Sequence, residues 1–159
     1  MEKPEHKTFM QIAIALAVEG VKAGVGGPFG AIVVKGGKIV GRGNNQVTST
    51  NDPTAHAEVV AIRDACKNLG TFQLDGCTIY TSCEPCPMCL GAIYWARPDQ
   101  LFYACTKEDA SENGFDDSFI YKELELSWEE RKIPTKQISR QEGLETFLTW
   151  RNNTDKKLY

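Results

Sequence analysis

No stretch of this sequence reaches the roughly 20 consecutive apolar residues that a membrane-spanning helix requires, so no membrane partner is expected. Positive charge is short as well: 18 lysines and arginines against 21 acidic residues give a net charge of −3. A protein that lives on phosphate contacts ordinarily carries a basic excess, so no nucleic-acid partner is expected and a small, weakly polar substrate suits the balance better. The opening stretch Met1–Thr8 is charged and lacks the apolar core of a signal peptide. The chain is therefore expected to stay in the cytoplasm, where thiols are kept reduced. Six cysteines in that setting argue against a disulfide framework and for metal, catalysis or simple burial. The glycine cluster at 24–30 lacks the G-x-G-x-x-G register, with Phe29 where the third glycine belongs, and it precedes a strand-like run, so dinucleotide binding has little support. Repeats, low-complexity runs and linker-like segments are also missing, which leaves 1–159 as one domain of ordinary globular composition.

Within that domain, Phe9, Ile12, Ala13, Leu16 and Ala17 recur at helical spacing and predict a helix over 7–23. The runs at 30–35 (GAIVVK) and 38–41 (KIVG) flank Gly36-Gly37, a hairpin signal. The stretch 44–52 is polar and reads as a loop. A second helix is expected over 55–69 with Asp52 or Thr54 as its cap, then a strand at 77–81, a helix over 82–96 and a strand at 100–105. A further strand at 133–138 and a last helix at 143–151 complete the pattern. A hairpin followed by alternating helices and strands argues for a layered α/β domain.

Cys86 and Cys89 stand three apart at the start of a predicted helix, on one side of it, where free backbone N–H groups favour thiolate over thiol. A bare C-x-x-C serves equally as a redox pair, a zinc half-site or two core cysteines. His56, on the first turn of the preceding helix, tips the balance towards metal: one histidine and two cysteines leave the fourth tetrahedral position of zinc to water or hydroxide, the arrangement of a catalytic site. Glu58, two residues on, need not bind the metal yet stays near that water, where a carboxylate can take its proton and pass it to a leaving group. Without the cysteines it would read as a solvated helix-surface glutamate. Cys83 extends the run to C-x2-C-x2-C, a spacing also met in iron–sulfur ligation, but Ile93 stands where the next ligand belongs. It is taken as a buried neighbour, and Cys66, Cys77 and Cys105 as small core residues.

His56-Ala57-Glu58 followed by Pro85-Cys86-Pro87-Met88-Cys89 is the H-x-E…P-C-x-x-C signature of zinc deaminases. Beyond the signature, residues 26–34 (GGPFGAIVV), 51–66, 80–98 and 114–123 (GFDDSFIYKE) resemble the bacterial guanine deaminases of the cytidine-deaminase-like fold. The first three stretches are shared in outline with tRNA adenosine deaminases. The resemblance implies a three-layer α/β/α fold around a mixed sheet of about five strands, and a homodimer whose C-terminal segment, about 115–159, is swapped between subunits. It implies one Zn2+ per subunit on His56, Cys86 and Cys89, Glu58 as proton shuttle, and deamination of guanine to xanthine and ammonia in purine salvage or catabolism. It also implies that Asn45 hydrogen-bonds the purine, Phe29 packs on it, Asp117 meets its edge, and Tyr159 reaches the neighbouring subunit's site.

Taken alone, these last residues have plainer readings. Asn44-Asn45 is a turn signal, Phe29 a core aromatic, Asp116-Asp117 a solvated pair, and Tyr159 the end of a tail. Trp95 suits a pocket wall or a helix-end core position. The nearest rival activity is guanosine deamination, then adenosine deamination in tRNA. From another class comes a structural zinc module, which needs a fourth protein ligand and has only Cys83 to offer.

Overall fold

Gly30–Lys35 (β1) and Lys38–Asn44 (β2) form the expected hairpin. In the computed structural model, which describes residues 4–159, Gly36 and Gly37 both take positive φ, 54° and 76°. Two successive residues in that region make the turn whose twist matches the flanking strands, and a Cβ resists it. Of the charged N-terminal stretch, residues 1–3 lie outside the described residues.

β1 also pairs antiparallel with Cys77–Cys83 (β3), which pairs parallel with Gln100–Cys105 (β4), giving the order β2-β1-β3-β4. The sheet is mixed, as expected, but among the described residues it has four strands and not five. The expected strand at 133–138 is irregular chain, with Ile133 and Ile138 exposed by 77% and 82%. Its β-branched residues have no pairing strand among the described residues, and Pro134 removes a ladder donor.

Five of the six residues of β1 are buried because helices cover both faces. On one face Ala31, Val33 and Ile79 meet Ala57, Ala61 and Ala65 of α3 (Ala57–Leu69), together with Ile93 and Ala96 of α4 (Pro87–Ala96). On the other, Ile32, Val34 and Tyr80 meet Ala13 of α1 (Pro4–Lys22). These are the three layers α/β/α. The alanine stripe lets α3 lie close on the sheet: a Cβ added to Gly41 of β2 would come within 2.5 Å of the Ala61 carbonyl oxygen.

Two helix starts differ from expectation. Asp52 does not cap α3; it accepts from the backbone N–H and hydroxyl of Thr54 in a local turn, and these bonds hold its carboxyl below the usual range. α4 begins at Pro87 and not near Ser82, because a residue preceding proline is pushed out of the helical region, and both Pro85 and Pro87 impose this. Ser82 and Cys83 instead complete β3. The polar loop at 44–52 contains a single helical turn, α2 (Val47–Thr50). Lys107–Glu112 (α5) opens with a capping box between Thr106 and Asp109.

The chain divides into two compact units, Met1–Asp117 and Ser118–Tyr159. The second holds α6 (Ser118–Glu125) and α7 (Arg140–Asn152), joined by a turn in which Glu130 accepts from the Ser127 backbone and hydroxyl and the Arg131 guanidinium sits 4.0 Å from the centre of the Trp128 ring. Neither helix buries a residue.

Candidate metal centre

α3 and α4 lie on the same face of the sheet and begin at neighbouring points. His56 and Cys86 are the residues immediately before them, both with extended backbone (ψ 155° and 167°), and neither side chain makes a capping hydrogen bond. Cys89 follows in the first turn of α4. His56, Cys86 and Cys89 thus bring three ligand atoms within 4.8 Å of one another. His56 Nδ1 stands 3.5 Å from Cys86 Sγ and 3.4 Å from Cys89 Sγ. Tetrahedral zinc, with Zn–S of about 2.3 Å and Zn–N of about 2.0–2.1 Å, separates nitrogen and sulfur by about 3.6 Å. The donor set and its spacing therefore fit zinc with one coordination position left over.

The protein's own groups prepare the thiols. Cys86 is pushed down to about 4, chiefly because the Cys89 thiol donates to it, with His56 helping and burial opposing. Cys89 is pushed up, first by that same bond to Cys86 and then by burial. The pair shares one proton, which a divalent cation displaces. His56 is raised mainly by its bond to Cys86.

Glu58, the second residue of α3, is only 5% exposed, and burial raises its carboxyl above the usual range. Its Oε1 accepts from the Thr81 hydroxyl at 3.1 Å and its Oε2 faces the Cys89 thiol at 3.4 Å. Sequence reasoning missed Thr81. The signal lay in the strand's period of two, which sets a hydroxyl on the face where Cys77 and Ile79 pack into the core.

Asn45 is buried and its Oδ1 accepts from the backbone N–H groups of Gly27 and Val47, each at 3.2 Å. The oxygen is committed, so the amide offers Nδ2 as a donor and does not donate and accept together. Phe29 is half-buried against the alanine-rich cluster and meets the edge of Phe115 at 5.0 Å and 89°. Phe115, in the GFDDSF stretch, was not singled out by sequence. Asp117 is half-buried, its carboxyl raised by burial and then by the negative charge of Cys86. Tyr159 belongs to the second unit and is exposed.

Cys83 is buried at the end of β3, donates to the Thr106 carbonyl at 3.4 Å and is pushed up to about 11 by burial. As a neutral thiol outside the cluster, it does not supply the fourth ligand that a structural zinc module needs. Cys77 is buried and Cys66 half-buried, but Cys105, taken as a core residue, is exposed because β4 is the sheet's edge. Trp95, 64% exposed, is not a core aromatic.

Residues 3–105 match the family described as the cytidine and deoxycytidylate deaminase zinc-binding region. The chain is 62% identical over 154 residues to the guanine deaminase of Bacillus subtilis (strain 168), spanning 97% of this chain and 99% of that protein. The crystal structure of guanine deaminase from Bacillus subtilis superposes with a TM-score of 0.95 over 97% of this chain and 98% of that one, at 62% identity. The guanine deaminase of Nitrosomonas europaea follows at a TM-score of 0.67 and 29% identity, over 92% of this chain and 74% of that one. The tRNA-specific adenosine deaminase of Buchnera aphidicola subsp. Schizaphis graminum is 36% identical over 86% of this chain and 87% of that protein. The cluster fits Zn2+, and the chain belongs to the cytidine and deoxycytidylate deaminase zinc-binding family.

Proposed function

We propose that this protein is a zinc-dependent aminohydrolase that converts guanine and water to xanthine and ammonia, with His56, Cys86 and Cys89 as the metal ligands. The choice of guanine is carried by one observation: the likeness to guanine deaminase runs through nearly the whole chain, C-terminal unit included. When bound, zinc lowers the pKa of a water molecule from about 15.7 towards about 7, supplying a nucleophile at neutral pH.

The chain's own residues do the rest. Glu58 takes the proton that the water sheds as it adds to C2, then returns protons to the ring nitrogen and to the departing amine. A buried carboxylate with a raised pKa suits both halves of that task, since it must accept and release near neutrality. Asn45 presents only N–H donors, so it selects an acceptor on the purine. Asp117 presents acceptors, matching guanine's ring N–H and exocyclic amine and opposing adenine's acceptor edge. Phe29 packs on the ring. The test is ammonia release from guanine and from guanosine under the same conditions. Guanine is expected to react and guanosine to lag well behind; equal or faster release from guanosine would move the assignment to the nucleoside.

The same reading extends to assembly. The working unit is a homodimer in which the segment from about 115 to 159 exchanges between otherwise single-domain subunits and carries Tyr159 to the partner's site. Support comes from the second unit itself, whose helices bury nothing while Phe119, Trp128, Phe147 and Leu158 stand exposed. Such a segment has no core of its own and needs a surface to cover. Subunits carrying Y159A alone, or E58Q alone, should both be inactive. Co-refolded in equal amounts, they should recover about a quarter of wild-type activity, since half the dimers then contain one site complete in both residues. A mixture as inactive as its parents would sink the exchange.

A further inference from the structure

Thr81 is completely buried in the middle of β3. The same face of that strand carries Cys77 and Ile79, which pack among the alanines of α3. A hydroxyl in such a place costs free energy unless it is hydrogen-bonded, and it spends its donor on Oε1 of Glu58, 3.1 Å away. Nothing within a glutamate side chain fixes the rotation of its carboxylate, because that terminal torsion is broad. The side chains within hydrogen-bond reach of this one, among the described residues, are Thr81 and Cys89, and its own backbone N–H also bonds it. A cysteine that ligates metal does so as thiolate and has no proton to donate. Thr81 is then the side-chain donor that remains.

We propose that Thr81 is a positioning residue for Glu58. Its hydroxyl pins Oε1 and so sets the plane of the carboxylate, leaving Oε2, which lies on the Cys89 side, as the oxygen that exchanges protons with water and substrate. This rests on the reading of Glu58 as the proton carrier. Thr81 touches neither substrate nor metal; it acts through Glu58 alone.

The test compares T81V and T81S with the wild-type holoenzyme, measuring kcat, KM and zinc content with guanine and guanosine as substrates. Valine keeps the branched shape and removes only the hydroxyl, so a packing role leaves T81V active. Positioning predicts a kcat lower by about 10–100-fold, as for other groups that orient the residues around a metal site, with KM and zinc content unchanged. T81S, which restores the hydroxyl, should recover most of the loss. The pair T81S and T81A repeats the comparison without the methyl group, so the result does not depend on valine being accommodated. T81V with wild-type kcat, or a kcat loss that follows loss of zinc or that serine does not rescue, overturns the role of Thr81. No turnover of either substrate by the wild type overturns the functional reading, and the positioning role with it.

Discussion

Replacing Glu58 with glutamine is expected to leave zinc bound and to lower kcat by roughly 100- to 10,000-fold, the usual contribution of a positioned proton-transfer group. Glutamine keeps the length and shape of the side chain, and its carbonyl oxygen still accepts from the Thr81 hydroxyl. What it loses is the capacity to take a proton from water and hand it on. Asp117 is half-buried at the end of the first unit and is proposed for the purine edge, and Glu84 Oε2 accepts from the Lys107 backbone N–H, so neither is free to take over the task. Ammonia release measured beside metal content decides the matter. A variant that keeps zinc and a tenth of the wild-type rate would place the proton carrier elsewhere.

Stripping the metal with a chelator is expected to abolish turnover while leaving the fold in place, and added zinc should restore activity. The sheet and its helices are held by aliphatic and alanine packing that does not involve the three ligands as a group, so the far-ultraviolet circular dichroism should persist. Unfolding on chelation would instead favour a structural metal. Rebinding also has a proton count. Cys86, held down to about 4, is already ionised at neutral pH, whereas Cys89 is kept protonated by its neighbour and His56 is raised. Zinc uptake at pH 7 should therefore release protons, chiefly from Cys89. As the pH falls, more protons must leave for the same ion to bind, so occupancy falls with acidification; titration calorimetry in buffers of different ionisation enthalpy reads the number directly.

Much of this was legible in the sequence because the features concerned are local. Helix α1 follows from one apolar stripe, the hairpin from Gly36-Gly37, and the clustering of His56, Cys86 and Cys89 from their spacing. What escaped depended on partners far along the chain. The segment at 133–138 has the residue types of a strand but finds no strand to pair with. Its composition could not reveal that. α5 is short and polar, announced only by its capping box, and α6 is a helix of eight residues. That the Asn45 carboxamide has only donors left to offer follows from its oxygen's commitment to Gly27 and Val47, which is a tertiary fact. Thr81 lay in plain view on a core-facing strand position, yet its meaning appears only once Glu58, 23 residues earlier, is set beside it.

His56 and Cys86, the proposed ligands, also occupy the positions where a helix gains most from aspartate, asparagine, serine or threonine. Such a residue contributes about 0.5–2 kcal/mol at a helix start, and in a protein of this size each kcal/mol is worth about 2–4 °C in Tm. The fold and the metal therefore compete for the same two places. A sequence tuned only for heat resistance would drift towards better helix starts there and lose the site in doing so. The marginally weaker scaffold is the form in which the chemistry is possible, and efforts to harden this enzyme have their room elsewhere, on the outer faces of α1 and α3.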